Sequence, residues 1–507
     1  MRCEVCAAER KGMMKKTQPN GRRGGSGRVG WLTGLLALLL LLGTLASCGK
    51  KPPTPDPGTG ETDSDSQTEP VTEAPYELPV KKYGGAELKL LIPPGKIWQF
   101  EEHAVNTDIL NDAIFKRNSE LEFAYEIQLK QIYKGNDSTE YNAALNAEMT
   151  SQSGSYDICF YPNVYGMIGM VVSSHYFRNL TDMDSIDLSQ PWYVQGWNDP
   201  CTIEGRLYGA VSYGSVEPMS GAVGVFFNKD MYGSVFDSDP DEMYDLVDAG
   251  GWTLEKLEQL SAEAKGDTDG DGVTDRYGLS ADFKGSLLVY SLGAEYVVKN
   301  ESGEYQLNFE DEHNVNVFQR LFRFLNSDSF LYVSGTIFDN NKTFTEGTVL
   351  FNLNSFDNGH RIKASEINYG VLPYPKYDGE QKHYITVNAA MGFFSIPTTV
   401  DDAEFSAMLL NGLAYYSYEI IRPVYKETFL KKGVSLQSKD SHMIDLIFDS
   451  ITPDFSYIFR VSFGNHDSKI YRMMIEKNTG YAKYCRENVD LWQSQLDIIL
   501  GKKEASG

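Results

Sequence analysis

Apolar and polar positions recur along most of this chain with two different periods. Short, almost wholly apolar runs such as "YDICFY" (156–161) and "AVGVFFN" (222–228) indicate strands that are buried on both faces of a sheet. The segments "DILNDAIFKRNSELE" (108–122) and "WTLEKLEQLSAEAK" (252–265) have apolar residues three and four positions apart, which predicts amphipathic helices. Because strands alternate with helices, the pattern predicts an α/β fold.

The pattern changes on either side of this α/β body. From Asp401 onward it is mostly helical, and it closes with the periodic segment "VDLWQSQLDIIL" (489–500). Residues 48–82 are rich in Pro, Thr, Ser, Asp and Glu and have hardly any apolar side chains, which predicts a disordered tether. The folded body therefore runs from about Tyr83 to Leu500, a length typical of two or three domains.

The first 47 residues have the pattern of an export signal. A basic region that ends at Arg28 leads into the leucine-rich run "WLTGLLALLLLLGTLAS" (31–47), which is too short and too closely followed by polar residues to predict a membrane span. The run ends in "LASC" (45–48), which resembles a bacterial lipobox and implies a lipid anchor on Cys48. An ordinary signal peptide followed by a chance cysteine is the alternative.

Charge and cysteine content exclude two classes of protein. The leader contains eight Lys and Arg and two Asp and Glu, so its removal changes the formal net charge from −24 to −30. Such a surface repels phosphate backbones, and nucleic acid is not a predicted partner. Apart from Cys48, the cysteines after the leader are Cys159, Cys201 and Cys485, and this odd, scattered set argues against a disulfide framework.

Five segments of the body follow one another as an ordered set of landmarks. They are "GRLYGAVSYGSVEPMSGAVGVFFNKDMY" (205–232), "GGWTLEKLEQLSAEAK" (250–265), "DTDGDGVTDRYGLS" (267–280), "FTEGTVLFNLNSF" (344–356) and "INYGVLPYPK" (367–376). Together they resemble the extracellular solute-binding proteins, family 1, of the maltose-binding-protein-like type, which serve carbohydrate ABC importers. No single segment is decisive, but the order and spacing agree over roughly residues 83–500.

The resemblance implies a periplasmic-binding-protein-like class II fold, with two α/β lobes joined by crossing hinge strands and a ligand cleft between them. The first lobe would take residues 83–208 and 386–422, and the second would take residues 209–384 and 423–500. It also implies a monomeric binding protein, not an enzyme, which captures a carbohydrate and delivers it to the permease of an ABC importer. With the lipid anchor, the expected location is the outer face of the cell membrane of a Gram-positive bacterium.

Aromatic, amide and carboxylate side chains near strand ends and crossings are the candidates for ligand contact. Ligands of open α/β sheets bind beyond the carboxyl ends of the strands. A sugar needs aromatic faces for its C–H surface and hydrogen-bonding partners for its hydroxyls. The residues that meet these criteria are Trp98, Tyr161, Asn163, Tyr213, Glu217, Asn354, Phe356 and Asn388.

Several of these candidates have an alternative interpretation. Tyr161 and Phe356 could fill the core instead of contacting a ligand. Glu217 and Asn388 could be bonded to backbone groups at the hinge. The ligand class is also open, because aromatic residues line peptide-binding clefts as well. A surface glycoside hydrolase would need two carboxylates ~5–10 Å apart, and nothing in the sequence nominates such a pair.

The Asp-rich stretch "GDTDGDGVTDRYG" (266–278) spaces its oxygen ligands as an EF-hand loop does. The twelfth position of the loop is Gly278 instead of an acid, so the sequence predicts a structural calcium site and not a switching EF-hand. An Asp/Gly-rich turn without an ion is the alternative. The predicted calcium ligands are Asp267, Asp269, Asp271, the Val273 carbonyl and Asp275.

Overall fold

The computed structural model describes residues 76–101, 109–173, 176–334, 337–358, 362, 365–430 and 438–503. Within these ranges the strands are β1 (Ala86–Ile92), β2 (Ile127–Tyr133), β3 (Ile158–Pro162), β4 (Val223–Asn228), β5 (Tyr277–Ala281), β6 (Val297–Lys299), β7 (Tyr305–Leu307), β8 (Phe330–Tyr332), β9 (Val349–Ser355), β10 (Tyr369–Leu372) and β11 (Gly392–Ser395). The helices are α1 (Ile109–Tyr125), α2 (Ser138–Ser151), α3 (Met167–Ser173), α4 (Gln195–Cys201), α5 (Glu217–Ser220), α6 (Lys229–Phe236), α7 (Glu242–Asp248), α8 (Leu254–Ala264), α9 (Leu288–Ser291), α10 (Glu312–Phe324), α11 (Ile337–Thr345), α12 (Ala403–Leu430), α13 (Ser438–Asp449), α14 (Phe455–Ile458), α15 (His466–Ile475) and α16 (Tyr481–Ile499).

The strands form two main sheets, one for each lobe. The first sheet has the order β11-β3-β1-β2, in which β1 is parallel to β2 and β3, and β11 is antiparallel to β3. The second sheet has the order β10-β4-β9-β5-β8, in which β5 is parallel to β8 and β9, and β4 is antiparallel to both its neighbours. Helices cover the faces of these sheets, so the predicted α/β class is confirmed.

The chain crosses between the sheets in two segments that lie side by side. The first crossing precedes β4 and the second precedes β11, and they pair in antiparallel fashion between Ala222 and Asn388. The amide of Ala389 donates to the carbonyl of Gly221 at 2.8 Å in the same ladder. Any functional group on either crossing therefore lies at the junction of the two lobes. The residue limits predicted for each lobe stay a prediction.

Burial explains why these segments form strands and helices. The runs that are apolar on both faces become β3, β4 and β9, and every residue in them is buried. Helix α8 begins where the sequence predicts it, because the Thr253 hydroxyl accepts a hydrogen bond from the Lys256 amide at 3.3 Å. Trp252, just before this cap, is fully buried and donates to the Pro373 carbonyl at 2.8 Å.

Helix α12 connects the two lobes on one side. It is 28 residues long and packs against α1 of the first lobe and against α13, which lies on β10 of the second. Neither α12 nor any other helix in the described ranges is long and apolar enough to cross a bilayer.

Part of the predicted tether belongs to the folded body. The Tyr76 ring packs edge-on against Trp192 at 4.8 Å between ring centroids, and Tyr125 donates to the Pro79 carbonyl at 2.9 Å. Residues 76–82 therefore pack on the first lobe, because Tyr76 and its neighbours supply apolar surface that the Pro- and Thr-rich part lacks. The leader, the predicted lipid acceptor Cys48 and residues 48–75 of the tether lie outside the described residues.

Candidate functional site

Segments from both lobes meet at Glu217, the first residue of α5 on the first crossing. The loop after β1 contributes Lys96, whose ammonium group forms an ion pair with the Glu217 carboxylate. The same loop contributes Gln99, whose side-chain oxygen accepts from the Val216 amide at 2.9 Å. Helix α5 also contacts the turn Phe356–Asn358 at the end of β9 in the second lobe. This junction therefore brings together the carboxyl ends of β1 and β9, as the strand-end rule predicts.

The Glu217 carboxylate is buried but only partly bonded. The side chain is 2% exposed, and its Oε1 receives the Lys96 ammonium and, at 3.5 Å, the Gln99 amide. Its Oε2 has no hydrogen-bond partner among the described residues. Gly392 lies beside this oxygen, and any side chain at that position would crowd it, because a Cβ would lie 2.6 Å from Oε2. Burial alone would lower the pKa of Lys96, but the Glu217 charge more than offsets it and holds that pKa above its usual value.

Two buried amides beside Glu217 also have one unused atom each. Asn388 is fully buried; its Nδ2 donates to the carbonyls of Glu217 and Pro218, both at 3.1 Å, and its Oδ1 has no partner within the described ranges. Asn163 is 1% exposed; its Oδ1 accepts from the Met391 amide at 3.2 Å, and its Nδ2 is without a partner there. Because buried polar atoms are normally bonded, two acceptors and one donor at the junction are suited to a hydroxylated ligand.

The structure places three predicted contact residues in the core. Tyr161 is fully buried, stacks on Phe393 at 5.9 Å and bonds to the Ser395 hydroxyl at 2.8 Å. Phe356 is 1% exposed and packs against Phe226, and Asn354 is fully buried within a network of amides. Since β3 and β9 are buried on both faces, side chains at their ends point into the lobes. For Tyr161 and Phe356 this is the alternative that the sequence left open.

Trp98 is partly exposed, whereas Tyr213 is buried beside α12. Trp98 follows Lys96 in the loop after β1, and its side chain is 38% exposed, so its ring is available for stacking. Tyr213 lies on the first crossing and is 8% exposed; its ring faces the Arg422 guanidinium at 5.8 Å. Burial raises the pKa of Tyr213, and Arg422 offsets part of this effect. Tyr213 therefore belongs to a hinge contact between the first crossing and α12.

Sequence reasoning missed Lys96, Gln99 and Asp357. Each of them follows a strand end, so the rule that selected Trp98 and Phe356 could have found them. The Lys96 ammonium is not one of the aromatic, amide and carboxylate groups that the sugar criteria select. Gln99 and Asp357 carry such groups, but nothing in the linear sequence shows that they face the junction.

The Asp-rich loop brings three of its four predicted carboxylates together. Oxygens of Asp267, Asp269 and Asp275 lie within 4.8 Å of one another, an arrangement that fits a hard cation. The Asp271 carboxylate lies outside this group, and, like the other three carboxylates, it accepts a hydrogen bond from a backbone amide of the loop, that of Val273 at 2.7 Å. The loop is exposed, in the second lobe between α8 and β5, and it does not contribute to the junction around Glu217.

A larger cavity lies away from the predicted residues. It has a volume of about 1000 Å³ and is lined by parts of residues 290–295, 381–385 and 446–454. None of the eight predicted contact residues lines it. At the junction around Glu217, three of the predicted contact residues have buried, unused polar atoms.

A buried polar network in the second lobe lies at the wall of this cavity. His466 is fully buried, and its Nε2 contacts the hydroxyls of Tyr290 and Ser456, each at 2.9 Å. Ser456 also donates to the Asp454 carboxylate. Burial lowers the pKa of His466 to about 4, while burial, with a smaller effect of Glu295, raises the pKa of Asp454 to about 7. The structure thus favours a neutral histidine, close to a carboxyl group that holds its proton up to about pH 7.

These two groups are expected to make opposite contributions to the pH dependence of stability. From about pH 4 to 6.5 the unfolded chain binds a proton at His466 that the folded chain does not, so this residue makes stability rise with pH. From about pH 4 to 7 folded Asp454 keeps a proton that the unfolded chain has lost, so this residue makes stability fall with pH. Each slope has a limiting value of about 1.4 kcal/mol per pH unit, and in the wild type they largely cancel.

Urea unfolding at pH 4.5, 5.5 and 6.5 checks this expectation. The free energy of unfolding of Asp454→Asn, relative to that of wild type, should increase as the pH rises. The free energy of unfolding of His466→Gln, relative to that of wild type, should decrease. Parallel pH profiles for all three proteins would contradict the assignment.

Comparison with known proteins supports the two-lobe architecture. No family model and no curated protein sequence matches the chain. The structure is similar to that of the GacH receptor of Streptomyces glaucescens, studied unliganded and in complex with acarbose, with a TM-score of 0.54 and 13% identity over 82% of this chain and 99% of that chain. It is also similar to a cyclo/maltodextrin-binding protein complexed with maltotetraose, with a TM-score of 0.56 and 15% identity over 82% of this chain and 99% of that chain. The chain therefore has the two-lobe α/β fold of these solute-binding proteins, as the sequence resemblance predicts.

Proposed function

We propose that this protein captures a carbohydrate, in the size range of an oligosaccharide, and delivers it to an ABC importer. The observation that carries the proposal is the set of unused atoms at the lobe junction: Glu217 Oε2, Asn388 Oδ1 and Asn163 Nδ2. Ligand hydroxyls can donate to the first two atoms and accept from the third. The two similar proteins are named with acarbose and maltotetraose, which agrees with a sugar ligand.

The proposed mechanism involves no covalent step. The sugar binds with its hydroxyls on the junction groups and an apolar face near the Trp98 ring. Contacts from both lobes favour the closed state, so binding shifts the population toward closure. The closed form then docks on the membrane permease, and ATP hydrolysis by a separate subunit drives transport.

The location is proposed from the leader alone. Export through residues 1–47 and lipidation of Cys48 would hold a monomer at the outer face of a Gram-positive cell membrane. Labelling with a radioactive fatty acid tests this proposal, because Cys48→Ala should abolish incorporation of the label. Continued incorporation would rule out Cys48 as the acceptor.

A thermal-shift screen of the full chain, purified in detergent, tests the ligand class. One panel contains neutral mono- and oligosaccharides, and a second contains short peptides. A melting temperature that rises with the concentration of one glycan indicates binding to the native state, as the proposal expects. A rise with peptides but with no glycan would keep the fold and overturn the sugar assignment.

We also propose that Asp267, Asp269 and Asp275 hold a structural Ca²⁺ ion. Their clustered carboxylates, within 4.8 Å of one another, support this proposal. Removing the ion would leave three like charges close together and loosen the link between α8 and β5.

Chelation should therefore lower the melting temperature by several degrees and leave sugar affinity little changed. Asp269→Asn should abolish the calcium-dependent part of the melting temperature. The matched control Asp328→Asn, an 85% exposed acid outside the loop, should keep it. Equal melting temperatures with calcium and with chelator in the wild type would refute the site.

A further inference from the structure

A ladder of buried amides runs through the second lobe toward the lobe junction. The Asn352 amide donates to the Ser280 hydroxyl at 2.8 Å and to Asn340 Oδ1 at 2.9 Å. The Asn354 amide donates to Asn352 Oδ1 at 2.9 Å and to Asn341 Oδ1 at 2.5 Å. All these amides are at most 5% exposed. Burying so many amides is costly unless each is bonded, so the ladder fixes the positions of its members.

The ladder ends at the turn Phe356–Asn358. Asn354 Oδ1 accepts from the Ser355 amide at 3.0 Å and from Asn358 Nδ2 at 3.2 Å. Asn358 Nδ2 in turn donates to Asp357 Oδ1 at 2.9 Å, and the Ser355 hydroxyl donates to the same oxygen at 2.5 Å. Asn354 therefore bonds the Asn358 side-chain amide that holds Asp357, and it also bonds the backbone amide of Ser355, whose hydroxyl holds Asp357.

Asp357 differs from the rest of the ladder because it is exposed. Its charge acts on Lys96, since it contributes to the raised pKa of that ammonium group. The turn that carries Asp357 also contacts α5, which begins at Glu217. Asp357 is thus a second-lobe carboxylate on a turn that borders the junction where Glu217, Asn163 and Asn388 have unused atoms.

We propose that Asp357 is the hydrogen-bond acceptor that the second lobe presents to the sugar, and that Asn354 is the positioning residue that holds it. This inference rests on the proposed function. Glu217 and Asn388 lie on the crossings and Asn163 lies in the first lobe, so a contact from Asp357 adds a bond from the second lobe. Such a contact favours the closed state with ligand bound. Asn354, which the sequence nominated for direct contact, acts through Asp357.

Calorimetric titration of the full chain tests the pair. The probes are four neutral tetrasaccharides: maltotetraose, cellotetraose, xylotetraose and mannotetraose. For the probe that binds wild type, Asp357→Asn should weaken affinity roughly 10- to 100-fold, the usual effect of losing a hydrogen bond to a charged group. Because Asp357 is exposed, the melting temperature of the Asp357→Asn variant should stay within about 1 °C of that of wild type.

The role of Asn354 is tested by a double-mutant cycle. Asn354→Ala should weaken affinity and lower the melting temperature, but in the Asp357→Asn background it should weaken affinity no further. If Asn354→Ala does not fold, Asn354→Ser, which keeps a small hydrogen-bond acceptor, replaces it in the cycle. Asn326→Ala is the matched control, because this amide also bonds two carbonyls, of Phe322 and Met474, but lies far from the junction. It should lower stability and leave affinity unchanged.

The outcomes separate the inference from the function on which it rests. The inference would be overturned if Asp357→Asn left sugar affinity unchanged. It would also be overturned if Asn354→Ala weakened affinity in the Asp357→Asn background as much as it does in wild type. In both cases, sugar binding by wild type would still support the proposed function. Absence of binding by wild type to all four probes, with peptides bound instead, would overturn the proposed function and the inference with it.

Discussion

Glu217→Ala is expected to lower sugar affinity at least about a hundredfold, the largest loss among single substitutions at the junction. The change removes the unused acceptor Oε2 and the partner of the Lys96 ammonium together. A hydrogen bond to a buried charged group contributes about 1.5–3 kcal/mol, and the Lys96 ammonium, left without its partner beside the ligand, adds to the loss. Titration calorimetry with the glycan that wild type binds measures the effect.

The same substitution should destabilise the protein, and a second variant separates the two effects. Removing one partner of a buried ion pair costs about 3–5 kcal/mol. The cost here should lie at the low end, because the Lys96 side chain is 24% exposed. Replacing both partners, as in Lys96→Met with Glu217→Leu, should recover much of the stability and none of the affinity. Recovery of affinity in this apolar double variant would show that Glu217 has only a structural role.

Gly278→Ala is expected to be among the most destabilising single-methyl additions in the chain. A Cβ at Gly278 would lie 2.2 Å from both the Cα and the carbonyl oxygen of Ser261 on α8. Because these are backbone atoms, α8 must move off the sheet to make room. Overpacking of this kind costs about 1–3 kcal/mol, and we expect a value at the upper end. Denaturant unfolding of the two proteins measures the difference.

Gly379→Ala is the matched control for this substitution. A Cβ at Gly379 would meet no atom within 4 Å, and its backbone is not in the left-handed region. We expect a change within about 0.5 kcal/mol, as is usual for surface substitutions. A similar loss of stability in both variants would mean that the close approach of α8 and β5 is not the cause.

The architecture could be predicted because it depends on burial, and burial leaves a pattern in the sequence. The predicted strands over residues 156–161 and 222–228 are β3 and β4, and the helix predicted over residues 252–265 contains α8. The sequence also showed that Gly278 departs from an EF-hand. The physical reason for a glycine there, its contact with Ser261, joins two elements and has no linear signal.

The candidate site could be predicted only in part, because position at a strand end does not say where a side chain points. Asn163, Glu217 and Asn388 do lie at the lobe junction. Tyr161 was placed by the same rule, but β3 is buried on both faces and its ring is enclosed. Asn354 is held by Asn341, on a helix earlier in the chain, and such a pairing cannot be read from either residue alone.

Hydrogen–deuterium exchange with and without ligand shows whether the sugar binds at the lobe junction. The full chain is compared alone and with the glycan that gives the largest thermal shift. If the sugar binds at the junction, the glycan should slow exchange at four segments together: residues 93–99, 163–166, 217–220 and 356–358. These segments come from both lobes and the first crossing. Protection confined to residues 381–385 and 446–454, which line the larger cavity, would contradict binding at the junction.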